Sequence, residues 1–239
     1  PIESAGSDDV FKCTSVADVR KAFETINGKI NGLGTVNEGV LVQEFLAGTE
    51  YVVDSVSRDG VHKTVAVWEY DKRSVNDANF VYFGMSLRPA SGEREQALIE
   101  YSNRVLDALG FVNGPGHMEV MWLDAESQPC LVAVGSRCHG GEGTWQPIAQ
   151  ACVGHDQITS TRDVYVDPDA FDALPLQPTE MKKYGREVFL VARQNGVCAS
   201  LPGVAEIRAM RSFRKLDMHV QPGSTVVPTI DCFTRPGSV

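Results

Sequence analysis

The 239-residue sequence contains no run of about 18 consecutive apolar residues, which excludes a membrane-spanning helix. It also lacks a basic excess: 31 acidic side chains against 22 basic ones leave a formal net charge of −9. A dedicated nucleic-acid binder needs a basic face to displace counterions from phosphate, so that class is excluded too. No CxxC spacing occurs. The six cysteines (Cys13, Cys130, Cys138, Cys152, Cys198 and Cys232) are spread along the chain and read as reduced thiols of a cytoplasmic protein. There is no internal repeat, no low-complexity tract and no signal-peptide pattern. Pro1 is not an initiator methionine and loop-forming residues follow at once, which reads as a fragment missing its N-terminal part. What remains is ordinary globular composition, 43% hydrophobic and 22% charged, sufficient for one large domain or two modest ones.

Hydrophobic spacing predicts a helix over Val16 to Ile30, with Ser15 as N-cap and Asp18 three residues on. Val40 to Leu46 reads as a strand. Tyr51 to Val56 and Val61 to Tyr70 read as a hairpin around the turn Arg58-Asp59-Gly60. A loop at Asn76 to Asn79 precedes a short strand at Phe80 to Phe83. Glu93 to Leu109 carries a helical apolar stripe and stops before Gly110. His117 to Leu123 and Cys130 to Ser136 read as two strands, followed by a glycine-rich exit through Gly143. Beyond Asp156, Pro168, Pro175 and Pro178 punctuate a connection to a helix over Glu180 to Arg193 and several short strands.

Three features carry chemistry. The loop Ser4 to Ser7 has the small residues that let backbone N–H groups approach a phosphate, although such a loop is also an ordinary turn. Gln43-Glu44-Phe45-Leu46 offers backbone groups beside apolar side chains, a suitable edge for adenine. Glu50 follows where an ionised carboxylate, which only accepts, suits two ribose hydroxyls. The plain alternative is a strand, a turn and a surface glutamate. Third, Glu119 alternates with Met118 and Val120 and so points to the face opposite theirs. Paired strands can converge carboxylates on a hard cation, and Arg137 follows where a guanidinium suits phosphate or carboxylate. The alternative is a solvated Glu119 pairing with a local cation such as Arg73. Lys72, His117 and His139 lie near these features, with structural roles weighed first, and Trp68, Trp122 and Trp145 read as core or pocket-wall aromatics.

In this order and at these separations, the features resemble the ATP-grasp family from Pro1 to about Asp156, and the later part, through Val220 to Asp231, resembles the C-terminal lobe of its L-amino-acid ligase branch. The resemblance implies an α+β fold: a nucleotide-binding region over 1–155, divided into a small α+β lid (1–45) and an antiparallel-sheet core (46–155), then a small C-terminal α+β lobe over 156–239. It implies that Pro1 follows a nucleotide-contacting lysine. Ser4, Gly6 and Ser7 match the phosphate-covering loop, Gln43, Glu44, Phe45 and Leu46 the adenine-contacting hinge, and Glu50 the ribose-binding glutamate. Glu119 matches the first metal-binding acid and Arg137 the catalytic arginine that contacts phosphate or acyl-phosphate. The implied activity is ATP-dependent carboxylate–amine ligation through an acyl-phosphate, with ATP and Mg2+ as cofactors. Small-molecule acids and amines are the implied partners, with no nucleic acid and no membrane, and a homodimer is compatible. Two positions depart from the family. Ala133-Val134-Gly135-Ser136-Arg137 places an alanine where the second metal-binding glutamate belongs, and Asp9 adds charge where glycine is common. These departures support an alternative, a non-catalytic ATP-grasp binding or scaffold module.

Overall fold

The structure, a computed structural model, describes residues 1–2 and 4–239. In chain order the elements are α1 (Val16–Ile26), β1 (Thr49–Arg58), β2 (Val61–Val75), β3 (Ala78–Arg88), α2 (Glu93–Ala108), β4 (Gly114–Leu123) and β5 (Gln128–Gly135). There follow α3 (Gln146–Val153), α4 (Gln157–Val166), α5 (Pro168–Ala173), β6 (Arg186–Leu190), β7 (Gly196–Val197), α6 (Val204–Ala209), β8 (Asp217–Met218), β9 (Thr225–Val226) and β10 (Gly237–Ser238). The chain forms two compact units. The first comprises Pro1–Phe45, Asp71–Gly84 and Val188–Val239, the second Leu46–Tyr70 and Met85–Glu187. The expected boundary after residue 155 therefore falls inside the second unit, because α4 and α5 pack on the sheet there.

The second unit is an antiparallel sheet in the order β5-β4-β1-β2-β3, covered on both faces. The β1–β2 hairpin turns at Asp59 and Gly60, both left-handed (φ 51° and 78°), which gives the twist that two-residue hairpins favour. The next turn, at Asn76 and Asp77 (φ 54° and 60°), is of the same kind and joins strands longer than expected. On one face α2 packs Leu98, Ile99 and Leu106 against Tyr51, Val53, Met118, Val120 and Trp122. On the other, Trp145 and the α3 residues Ala149, Cys152 and Val153 cover Val52, Ala66, Trp68, Met85 and Leu87. At the hairpin end, Val164 and Phe171 close over Val56 and Val65. The Lys63 ammonium donates to the carbonyls of Phe171 (2.7 Å), Asp172 (3.0 Å) and Leu174 (2.5 Å), capping the C-terminal end of α5. Pro129 is tolerated in β5 because that strand is an edge.

In the first unit, α1 begins as expected, with the Ser15 hydroxyl accepting from the Asp18 amide. It ends at Ile26 rather than Ile30: Asn27 leaves the helical region, Gly28 is left-handed, and Ile30 instead bridges to Val36. Among the described residues of the expected lid over 1–45, this helix and bridge are the regular structure that forms. Val40 to Leu46 is not a strand, since no neighbour shares a ladder with it. Strands here run in the order β3-β6-β10-β8, with a separate β7–β9 pair. The helix expected over Glu180 to Arg193 is also absent. Its centre is β6, where buried Glu187 and Phe189 alternate with exposed Arg186 and Val188, a period of two. Of the prolines after Asp156, Pro168 marks a helix, while Pro175 and Pro178 lie in the connection to β6. Pro168 opens α5, where its missing N–H costs nothing, and Asp156 caps α4. Among the described residues none of the six cysteines is joined in a disulfide. Among the described residues no helix is long and apolar enough to cross a membrane.

Candidate active site

Strand alternation sorts the chemistry of the second unit onto one face. Tyr51 and Val53 point to the α2 side, so Glu50, Val52 and Asp54 point to the other. On β4, Met118, Val120 and Trp122 take the α2 side and leave His117 and Glu119 opposite. Val52 of β1 and Ala133 of β5 flank Glu119 in register. Glu50 lies two residues before Val52, which makes it a diagonal neighbour of Glu119, a relation that spans about 7–8 Å. Gly135 pairs with His117, and a Cβ there would stand 3.3 Å from Cγ and 3.4 Å from Nε of Arg137. Arg137 thus folds back over the sheet face that also carries Glu50 and Glu119. The Glu119 side chain makes no hydrogen bond or ion pair with another described residue. Among the described residues the Arg137 guanidinium donates only to the adjacent Cys138 carbonyl, at 3.0 Å. Arg73 forks onto Asp71, with both bonds at 2.7 Å.

The remaining predicted residues, except Leu46, belong to the first unit. Gly6 and Ser7 are consecutive left-handed residues (φ 59° and 68°), and the Ser4 hydroxyl donates to the Asp8 carbonyl at 3.0 Å. A Cβ on Gly6 would lie 1.9 Å from Sγ of Cys232, whose own N–H donates to the Gly6 carbonyl at 3.1 Å. Glycine is therefore required there by φ and by contact alike. The Asp9 carboxylate is held by the Lys29 ammonium at 2.8 Å, so its charge is compensated by a cation that lies just beyond α1. Gln43, Glu44 and Phe45 are exposed, and the Phe45 ring lies 6.3 Å from that of Phe80 with the Lys12 ammonium 3.8 Å from its centroid. Leu46 opens the second unit, half-buried. Lys72 sits over Tyr82, 4.4 Å from the ring centroid. Trp68 and Trp145 are core residues, as read from the sequence.

For magnesium the donor set fits only in part. Mg2+ is commonly held by one or two carboxylates together with substrate phosphates. Glu119 is one carboxylate, and the methyl group of Ala133 stands where a second would face it. Among the described residues, the one group of three ligating side chains close enough for a single ion lies deeper, at Asp54, His117 and His139.

The sequence reading singled out His117 and His139 but missed Asp54, the carboxylate that joins them. Asp54 is fully buried; its Oδ1 accepts from Nδ1 of His117 and its Oδ2 from Nδ1 of His139, both at 2.8 Å, and Trp68 Nε1 donates to Oδ2 at 2.9 Å. Burial alone would push this carboxyl up, but the two imidazoles outweigh it and hold Asp54 well below the usual carboxylate range. Burial pushes His117 below its ordinary value. The available signal was a carboxylate inside a valine-rich strand, Val52 to Val56, since a buried charge must find partners. A second unexpected arrangement has the outline of a catalytic triad: Ser57 Oγ is 2.7 Å from His62 Nδ1, and His62 Nε2 is 3.3 Å from Asp107. Ser57 is fully buried and has no access to a substrate carbonyl, so the arrangement is structural.

A family model for the ATP-grasp domain matches residues 1–145. The chain belongs to the ATP-grasp family. Dapdiamide A synthase of Enterobacter agglomerans is 30% identical over 245 aligned positions, covering 100% of this chain and 55% of the relative. The ATP-grasp chain thus spans about half the length of the curated relative it matches. The L-amino acid ligase of Bacillus licheniformis superposes with a TM-score of 0.67 at 18% identity, over 81% of this chain and 46% of that one. Phosphoribosylglycinamide synthetase of Anaerococcus prevotii follows at 0.60 and 10% identity, over 82% and 48%. At these identities the two structures establish the ATP-grasp fold.

Proposed function

We propose that this chain is the nucleotide-binding and C-terminal part of an ATP-dependent carboxylate–amine ligase acting on small molecules, with an amino acid as one substrate. The substrate carboxylate takes up the γ-phosphoryl group of ATP, an amine attacks the acyl-phosphate, and inorganic phosphate leaves. The observation that carries this reading is the shared sheet face of Glu50, Glu119 and Arg137 in an ATP-grasp fold. Glu50, with Gln43 to Leu46, orients the nucleotide, and Arg137 steadies the phosphoryl oxygens, where fixed positive charge is most effective. Ser4, Gly6 and Ser7 cover the phosphates. Glu119 would hold magnesium, which supplies further charge neutralisation when bound. The name of the ligase neighbour supports the amino-acid assignment.

A second reading, a binding or scaffold module without turnover, is favoured by Ala133 opposite Glu119. The two are separated by assaying the full natural polypeptide and its Ala133→Glu variant for ADP release with pairs from a broad panel of amino acids. Magnesium-dependent ADP release with amide product, stronger in the variant, is the expected result. Inactivity of both proteins across the panel, with nucleotide binding retained, demotes the ligase reading in favour of the scaffold.

A further inference from the structure

The glycine-rich segment after β5 is pinned from several directions. The His139 amide donates to Gln157 Oε1 at 2.7 Å, and Gln157 Nε2 in turn bonds the carbonyls of Ser55 and Gly116, each at 3.0 Å. The Gly140 carbonyl accepts from Trp145 Nε1 at 2.7 Å. The His139 ring lies 4.6 Å from that of His117 and 5.4 Å from that of Trp145. An ionised carboxylate only accepts, so both imidazoles bonded to Asp54 carry their proton on Nδ1. In its neutral form His139 then accepts at Nε2 from the Tyr70 hydroxyl, 3.3 Å away. One buried carboxylate thereby fixes the tautomer and the orientation of both rings.

Arg137 stands between two anchored points. Behind it, Gly135 is paired with His117; ahead of it, His139 is bonded to Asp54. We infer that Asp54 and His139 are positioning residues for Arg137: the Asp54 carboxylate, by clamping the His139 imidazole, holds the segment from Ser136 to Gly140 against the sheet and keeps the guanidinium over Gly135, on the face of Glu119. The inference rests on the role proposed above for Arg137. A metal ion at the same three side chains is the competing use of the cluster. It would have to displace both Nδ1 protons and break bonds that already satisfy the Asp54 oxygens, so the hydrogen-bonded clamp is the reading the geometry favours.

The test compares Asp54→Ala, Asp54→Asn, His139→Gln and Arg137→Ala. Long-range nitrogen–proton spectra of the unaltered protein should show two imidazoles as Nδ1–H tautomers, one of them lost in His139→Gln. In Asp54→Ala, amide exchange from Ser136 to Gly140 should rise about tenfold while the β1–β2 hairpin keeps its protection. Asn offers one acceptor oxygen and a donor that a flipped tautomer can meet, so Asp54→Asn should recover most of that protection. In the full natural polypeptide, Asp54→Ala should lower kcat about 100-fold, the scale of an ångström of misplacement, with the KM for ATP changed less than about threefold. Where Asp54→Ala does not fold, His139→Gln carries the same exchange and kinetic tests. Unchanged exchange over Ser136 to Gly140 in a folded variant overturns the inference. So does one bound transition-metal ion per chain with both Nδ1 protons missing. An Arg137→Ala protein of full activity sinks the ligase role of Arg137 and leaves the exchange result standing, so the two failures are distinguishable.

Discussion

Ala133→Glu puts a second carboxylate directly across the β4–β5 ladder from Glu119. Side chains on opposing residues of an antiparallel pair have Cβ atoms about 4.5–5.5 Å apart, close enough for two carboxylates to share one hard cation. Without a cation the same closeness is repulsive. Like charges directly opposite each other cost up to about 1 kcal/mol, and this pair belongs near the middle of that range, because Ala133 is exposed and Glu119 half-buried. In EDTA the variant should therefore be less stable by about 0.5 kcal/mol, a Tm lower by about 1–2 °C for a protein of this length. Magnesium reverses the sign. At about 100 times its dissociation constant, an ion bound only by the folded state adds about 2.7 kcal/mol, more than the repulsion it removes. Thermal melts across a magnesium titration, with EDTA as the baseline, should show a steep rise for Ala133→Glu and a shallow one for the unaltered chain. Adding Glu119→Gln to the variant should abolish the rise. Equal magnesium responses in variant and parent, or a response that survives Glu119→Gln, would falsify the cross-strand pairing of these two positions as a metal site.

Gly6→Ala should cost about 1–3 kcal/mol in urea melts through its left-handed φ and its collision with Cys232. Adding Cys232→Gly should recover the steric share, visible as a coupling of at least about 0.5 kcal/mol, and strict additivity counts against the contact. Burial holds His155 below its ordinary value, so as pH falls the unfolded chain takes up that proton first. Stability should drop from about pH 7 toward pH 5, and His155→Gln should flatten this limb; an unchanged slope counts against a buried neutral ring. Asp54 acts lower on the scale. Its folded-state carboxyl is held well below the unfolded value, so its stabilisation is complete above about pH 4 and is lost as pH falls further. Acid titrations of Asp54→Asn should show a weaker acid limb, and Asp54→Ala should cost about 3–5 kcal/mol at pH 7 by leaving buried donors without their acceptor.

The elements legible in the sequence were those whose signals are local. The β1–β2 hairpin announces itself through Asp59-Gly60, and α2 through one apolar stripe and Gly110 at its end. The misread elements depend on distant partners. β6 pairs with Gly237 and Ser238, nearly fifty residues on, so nothing near Arg186 to Leu190 identifies its ladder. Val40 to Leu46 has strand-like residues but joins no ladder. In α3 to α5 the local signals existed, with Gly154 left-handed after α3, Asp156 capping α4 and Asp167 capping α5, but the prolines were read as punctuation.

The candidate site shows the same division in finer detail. Counting outward from the turn, Trp122 faces Pro129, Met121 faces Cys130 and Val120 faces Leu131, so a regular ladder would put Val132 opposite Glu119. A register shift between Glu119 and Val120 inserts one residue into β5 and puts Ala133 there instead. The family motif supplied the pairing that regular counting would have missed, because a bulge has no reliable signature in a single sequence. The same shift places Gly135 opposite His117, and this bears on chemistry as well as register. Only a residue without a side chain leaves Arg137 room to fold back without displacement, and His117 is one of the two rings held by Asp54. The bulge therefore sets both the empty second carboxylate position and the seat of the arginine, and the buried acid beneath them fixes the backbone on which that seat depends. Asp54 was overlooked for a physical reason. Its importance lies in three donors, on β2, β4 and the glycine-rich exit, that only the folded sheet brings to it.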